Sequence, residues 1–132
     1  MDLKDLTPKS DVVVVTVKHP MNESVLKNDD KSDMTITVFA PHTKEYKTVF
    51  HDIANKRIKK AQGKKEPDFS LEEIEEMTLD VLAKTTKEWN ITFGGEKPEL
   101  TITKAKEIYS QVFWIKAQIE EATNNYLDFM KA

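Results

Sequence analysis

Cysteine is absent from the chain of 132 residues, which excludes a disulfide framework and a zinc site built on thiolates. Glycine is scarce, with three residues, and Gly94-Gly95 lacks the further glycines and the lysine of a phosphate-binding loop. No apolar run approaches the roughly 20 residues of a membrane-spanning helix, and residues 1–10 lack the apolar core of a signal peptide. We therefore expect a soluble protein that stays in a cytoplasm and has no membrane partner.

Side chains that hold metals or perform catalysis are also sparse. The three histidines, His19, His42 and His51, have no spacing that places two of them on one helix face. The acidic cluster at 72–76 would need glutamates on other helices and a Glu-x-x-His motif to form a di-metal site, and the motif is missing. No nucleophile with a base is evident either, so we expect no enzyme, no cofactor and no metal site.

The charge balance bears on nucleic-acid binding. Twenty-three acidic and 20 basic side chains give a net charge of -3, whereas proteins that bind phosphate backbones usually carry a basic surplus. The basic run at 56–65 is the one feature that favours nucleic-acid binding. It lacks interleaved aromatic residues, and it lies at a helix end, where positive charge is favoured by the helix dipole. We expect no nucleic-acid partner, and keep a small nucleic-acid-binding regulator as a weaker alternative.

The length suits one domain, which we place at 11–132 behind a flexible arm at 1–10. The β-branched run at 11–18 and the alternating segment at 34–40 predict an antiparallel hairpin over 11–41 with a long polar loop. Within that loop, residues 24–27 suit a third short strand. A hairpin of this kind is marginal alone and requires a helix or another subunit to cover it.

From residue 42 to 132 the sequence reads as mainly helical. One helix is predicted over 44–62 with Thr43 as its cap, and a second begins after the capping residue Ser70. Two more are predicted over 103–110 and from about Phe113 onward. Before these two helices, alternation of apolar residues at 89–93 suits a short extended piece. The predicted fold class is α+β, a hairpin followed by about four helices and mostly α-helical.

The order of these segments resembles the tail assembly chaperones of long-tailed bacteriophages. VTVKHPMNES at 15–24 is similar to the family's strand and following turn, and MTITVFAPHTKEYK at 34–47 to its second strand, proline-containing corner and first helix. SLEEIEEMTLDVLAKTTKEWNI at 70–91 resembles the helix that ends in a tryptophan and an aliphatic residue. TKAKEIYSQVFWIKAQIEEATNNYLDF at 103–129 resembles the C-terminal pattern, although its end departs from the usual Asn-Phe.

The resemblance implies a non-enzymatic function. Such a chaperone binds the tape measure protein, a long helical chain, keeps it soluble and helps the tail tube to polymerise around it. The implied partners are the tape measure protein, with the tail tube protein as a further candidate, and other copies of the chain in a homo-oligomer. The implied location is the cytoplasm of the host bacterium, with no place in the mature virion. A small structural component of the virion is the alternative.

Two sets of residues are candidates for these contacts. The C-terminal apolar stripe and a neighbouring aromatic are predicted to contact the client protein: Trp114, Ile115, Ile119, Tyr126 and Phe129. The opposite assignment, with this stripe buried as core, stays open at this point. The hairpin is predicted to mediate self-association through four residues: Val12, Val14, Ile36 and Val38. Exposed strand edges are natural templates for such pairing.

Overall fold

The computed structural model describes residues 2–62 and 70–124, and within them a three-stranded antiparallel sheet combines with four α-helices. In chain order the elements are β1 Val12–Thr16, β2 Thr35–Phe39, α1 Lys44–Gln62, α2 Leu71–Lys84, β3 Thr86–Asn90, α3 Ile102–Gln111 and α4 Trp114–Thr123. The predicted α+β class is therefore confirmed. A short 3-10 turn at Leu3–Leu6 precedes the sheet and buries no residue; the flexible arm at 1–10 stays a prediction.

The N-terminal hairpin forms as the alternating pattern predicts. β1 and β2 pair antiparallel, with Val12 opposite Phe39 and Thr16 opposite Thr35. Alternate residues of β1 and its extension bury their side chains on one face, because successive side chains of a strand point to opposite sides; they are Val13, Val15 and Val17. The third strand expected at 24–27 is wrong, since this segment makes isolated bridges at Val25 and Lys27 and no strand.

The third strand instead lies between α2 and α3. β3 pairs antiparallel with β2, which places β2 in the centre of the order β1-β2-β3. The part of the chain predicted as mainly helical thus contains a strand, and the short extended piece expected at 89–93 overlaps its end at 89–90. Helix α2 ends at Lys84, and the β-branched Thr85 and Thr86 follow, which favours extended backbone. Trp89 then lies opposite Ile36, and its side chain packs against the core.

Local capping explains where the first two helices begin. Helix α1 has the predicted bounds, and the Thr43 hydroxyl accepts a hydrogen bond from the Tyr46 N–H at 3.2 Å. The Ser70 hydroxyl accepts from the Glu73 N–H at 3.3 Å at the start of α2. A side-chain oxygen in this position satisfies one of the N–H groups that the first turn leaves unpaired. The expected boundary between α3 and α4 is also confirmed, near 112.

The core lies between one face of the sheet and the helices. Its largest fully buried side chains are Tyr109, Ile36, Ile108 and Val38. Tyr109 on α3 makes an edge-to-face contact with the Trp89 ring, with 6.3 Å between centroids. Its hydroxyl lies 2.7 Å from that of Thr86 at the start of β3. Burial raises the pKa of Tyr109 to about 12, because the phenolate would lose its hydration. The hydrogen bond between the Tyr109 and Thr86 hydroxyls joins α3 to β3.

The polar loop before β2 is held by side-chain hydrogen bonds in addition to the packing of Leu26 against the core. The buried Asn28 donates its amide to the Asn90 carbonyl at 3.2 Å and accepts from the Thr92 hydroxyl at 2.6 Å. Nearby, the Lys97 ammonium lies 2.6 Å from the Asp30 carboxylate. Hydrogen bonds from Lys97, and then from Ser32, hold the pKa of Asp30 well below its usual range. The loop is thereby fastened to the chain that follows β3.

Candidate binding groove

An apolar depression opens between three helices above the central strand, and we call it the helical groove. Its volume is about 170 Å³. Its lining comes from β2, α1, α2 and α4 and from the residues next to them: Val38, Phe39, Tyr46, Phe50, Met77, Thr78, Val81, Leu82, Thr85, Ile119, Glu120 and Thr123. The groove is therefore made by parts of the chain that are remote in sequence and meet only in the fold.

The floor of the helical groove belongs to the core, and its mouth is open. Val38, Val81 and Ile119 are buried and form apolar surface at the bottom. Phe50 on α1 stands at the rim with 42% of its surface exposed. An aromatic ring in that position exposes apolar area that would leave water on contact with a partner.

The three threonines of the groove have their hydroxyl donors engaged within the protein. Thr78 donates to the Ile74 carbonyl at 2.9 Å, and Thr123 donates to the Glu120 carbonyl at 3.0 Å. Thr85 donates to the Val81 carbonyl at 2.6 Å. Because these donors are used inside their own segments, the lining offers mainly methyl groups and rings to a ligand. A partner would therefore be held by apolar contact more than by hydrogen bonds.

Tyr46 and Glu120 form the polar part of the lining, on α1 and α4 respectively. Partial burial raises the pKa of Tyr46, and the negative charge of Glu120 raises it further. The Tyr46 hydroxyl therefore keeps its proton throughout the physiological range. It remains a neutral hydrogen-bond donor beside an acidic group.

Helix α4, which carries one wall of the groove, is hydrogen-bonded to the hairpin through the side chain of Gln118. The Gln118 amide accepts from the Lys18 N–H at 2.9 Å and donates to the Lys18 carbonyl at 2.8 Å. These two bonds reproduce the pair that a neighbouring strand would make with Lys18. Gln118 thus adds to the attachment that the buried Ile115 and Ile119 give to α4, and it closes one end of the outer edge of β1.

The residues predicted to contact a client lie in several environments. Ile115 and Ile119 are 6% and 2% exposed and belong to the core. This matches the alternative that the stripe is buried as core, because α4 directs it toward the sheet; client contact through these residues stays a prediction. Trp114 is half-buried against the same core. Of these three, Ile119 alone lines the helical groove. Tyr126 and Phe129 lie outside the described residues.

The residues predicted to mediate self-association are divided in the same way. Ile36 and Val38 are buried in the central strand and do not lie on an edge, and a part of theirs in self-association stays a prediction. The reason is that β3 occupies the side of β2 that the hairpin alone would leave open. Val12 and Val14 do lie on an edge strand, and Val14 is 60% exposed.

The helical groove was not predicted from the sequence. The apolar spacing of Tyr46, Val49, Phe50 and Ile53 indicates one side of α1, but only Ile53 of these is buried. A helix whose apolar stripe is wider than the surface that covers it leaves part of that stripe open. This excess was the available signal, although periodicity does not say which residues remain exposed.

Side chains that could ligate a metal do not cluster in the described ranges. No three side chains of His, Asp or Glu come together there as a metal site. Every buried side-chain nitrogen or oxygen in these ranges has a hydrogen-bond partner. Of the basic run, Arg57 is engaged with Glu73, whose carboxylate lies 2.8 Å away. Among the described residues, we therefore take the helical groove as the candidate site, on the ground of its apolar lining.

No protein-family model, no curated protein and no solved structure matches the chain. Among the described residues, no helix has both the length and the apolar character that crossing a membrane requires.

Proposed function

We propose that this protein is a non-enzymatic tail assembly chaperone of a long-tailed bacteriophage. It binds apolar side chains of the helical tape measure protein in the helical groove and keeps that protein soluble until the tail tube polymerises around it. The observation that carries the proposal is an apolar groove, with Phe50 at its rim, whose threonine donors are engaged internally. Such lining suits the apolar face of an amphipathic helix.

The size of the groove favours a protein client over a small molecule. Pockets for drug-sized ligands have volumes of roughly 300–1,000 Å³. The helical groove, at about 170 Å³, is smaller and takes one or two side chains of a helix. Each copy therefore holds its client weakly, and many copies along a long chain give a strong total interaction. Weak individual contacts also permit displacement by the tail tube protein.

The proposed setting follows from this role. The chaperone works as a homo-oligomer or in multiple copies in the cytoplasm of the host bacterium, without nucleic acid or membrane as partner. It leaves before the tail is complete and is absent from the mature virion. A structural component of the virion, by contrast, would remain in purified particles.

The test is co-expression with the tape measure protein encoded beside it, with client solubility and co-purification as the measurements. Phe50→Gln should reduce both, because it removes the exposed ring from the groove. Phe113→Gln is the matched control: Phe113 is 75% exposed but does not line the groove. Equal loss in both variants would contradict the groove assignment. An insoluble client with the unaltered protein, and recovery of this protein in mature particles, would favour the structural component.

A further inference from the structure

The outer edge of β1 is open over a short window only. The Asp11 carbonyl accepts from the Ala40 N–H and the Val17 N–H donates to the Met34 carbonyl, both at 2.9 Å. In an antiparallel ladder the backbone groups of successive residues point to opposite sides. Odd-numbered residues of β1 therefore direct their N–H and C=O groups toward β2, and even-numbered residues direct theirs outward. At one end of this edge, the Ser10 hydroxyl donates to the Val12 carbonyl at 2.8 Å and accepts a hydrogen bond from the Val12 N–H.

The other end of the same edge is closed by Gln118, which holds both backbone groups of Lys18. Between the two closures lie Val14 and Thr16, each with an outward N–H and an outward carbonyl. In the described part of the chain, β1 pairs with β2 alone, so no other strand takes these groups. The window thus contains two donors and two acceptors, and it is symmetric about Val15.

We propose that this window pairs with the same window of a second copy of the chain, across a two-fold axis at Val15. In that register Val14 lies opposite Thr16 of the copy, and Thr16 lies opposite Val14 of the copy. The four open groups of each chain meet their complements in four hydrogen bonds. Val12 would lie opposite Lys18 of the copy, and both are already satisfied by their own chains. The ladder therefore ends at the same point on both sides, as an isologous interface requires.

The surroundings of the window accept a strand of this kind. A groove of about 310 Å³ runs beside it, lined by β1 and α4 residues that include Gln118 and Ala122. One positive and one negative side chain, Lys18 and Glu121, share the groove, so its charges do not select a strongly acidic or basic partner. Pairing would cover Val14, which is 60% exposed. A ladder of two residues per copy buries less than the roughly 1,200 Å² of a stable interface, so the dimer is weak and reversible.

The first test is sedimentation equilibrium of the full chain from micromolar to millimolar concentration. The unaltered protein should show a monomer–dimer equilibrium. Val14→Pro removes an outward N–H while leaving the pairing of β1 with β2 intact, so it should fold and its dissociation constant should rise at least about tenfold. Val14→Thr keeps the N–H and the branched side chain and should dimerise normally. A monomer at all concentrations, or equal dimerisation of the proline variant, would overturn the proposal.

The second test fixes the register and does not depend on the proline variant. The chain has no cysteine, so an introduced thiol is unique. Oxidation of a mixture of Val14→Cys and Thr16→Cys proteins should give disulfide-linked heterodimers, because opposite residues in a hydrogen-bonded pair have Cα atoms about 5.5 Å apart. Either protein alone should crosslink poorly, since the offset separates identical positions by more than about 7 Å. Crosslinking of one variant alone to the same extent, or none in the mixture, would overturn this register. Neither test uses the tape measure protein, so failure here is separate from failure of the proposed function.

Discussion

The hydrogen bond between α3 and β3 has a direction that can be tested. The Thr86 hydroxyl has one proton, and it donates that proton to the Leu82 carbonyl at 2.7 Å. The 2.7 Å contact with Tyr109 must then use the Tyr109 hydroxyl as donor and Thr86 as acceptor. Thr86→Val therefore leaves a buried phenol donor without an acceptor. Tyr109→Phe removes the donor itself and leaves the bond from Thr86 to Leu82 in place.

The two substitutions should differ in cost for this reason. Loss of one hydrogen bond in Tyr109→Phe should lower the free energy of unfolding by about 1 kcal/mol. Thr86→Val loses two bonds and leaves an unpaired buried donor, which should cost about 2–3 kcal/mol. The double variant should cost less than the sum, by about 1 kcal/mol, because the unpaired phenol is then absent. Urea denaturation of the four proteins at neutral pH measures all three quantities.

Two results would refute this reasoning. Equal costs for the single variants would mean that the donor and acceptor roles are not fixed as the geometry requires. Strict additivity in the double variant would mean that the two hydroxyls do not interact. Thr103→Val, an exposed threonine on α3, provides a control for the generic effect of the substitution.

Three further predictions concern pH, helix attachment and the polar loop. The pKa of Tyr109 is about 12 in the folded chain against 10.0 ordinarily. Its contribution to the free energy of unfolding is therefore full below pH 10 and is lost as the pH rises through 12, by up to about 3 kcal/mol. Urea titrations at alkaline pH should show this loss, and Tyr109→Phe should remove much of it. Gln118→Ala should cost about 1–2 kcal/mol and speed hydrogen exchange at the Lys18 amide, and unchanged exchange would show that the side chain is not its partner. Lys97→Met should raise the pKa of the Asp30 carboxyl toward its usual value in an NMR titration, and an unchanged titration would contradict the assigned cause.

The local part of the fold was predictable because it depends on short-range chemistry. The hairpin follows from alternation at Met34, Ile36 and Val38, and the bounds of α1 follow from a capping threonine and a helical period. The strand β3 was only half predictable. Alternation at Trp89 and Ile91 indicates extended backbone, but the partner is decided by the open side of β2, which is a tertiary property.

The candidate sites were less predictable than the fold. A periodic stripe indicates that a helix covers something, and it does not say which stripe is fully covered. On α4 the stripe is buried at Ile115 and Ile119, whereas on α1 Phe50 remains exposed. That difference depends on how three helices are placed over the sheet. Likewise, Val14 and Ile36 look alike in sequence, and only the strand order separates edge from centre.

The two hydrogen bonds between Lys18 and Gln118 join residues that are 100 positions apart. During synthesis, the first strand therefore exists long before the side chain that closes its edge has been made. Until then, the backbone groups of Lys18 lack Gln118, so the nascent chain exposes a longer pairing edge than the finished protein does. Completion of α4 thus shortens that edge, and any product that stops before Gln118 should be more prone to pair with other strands than the full chain.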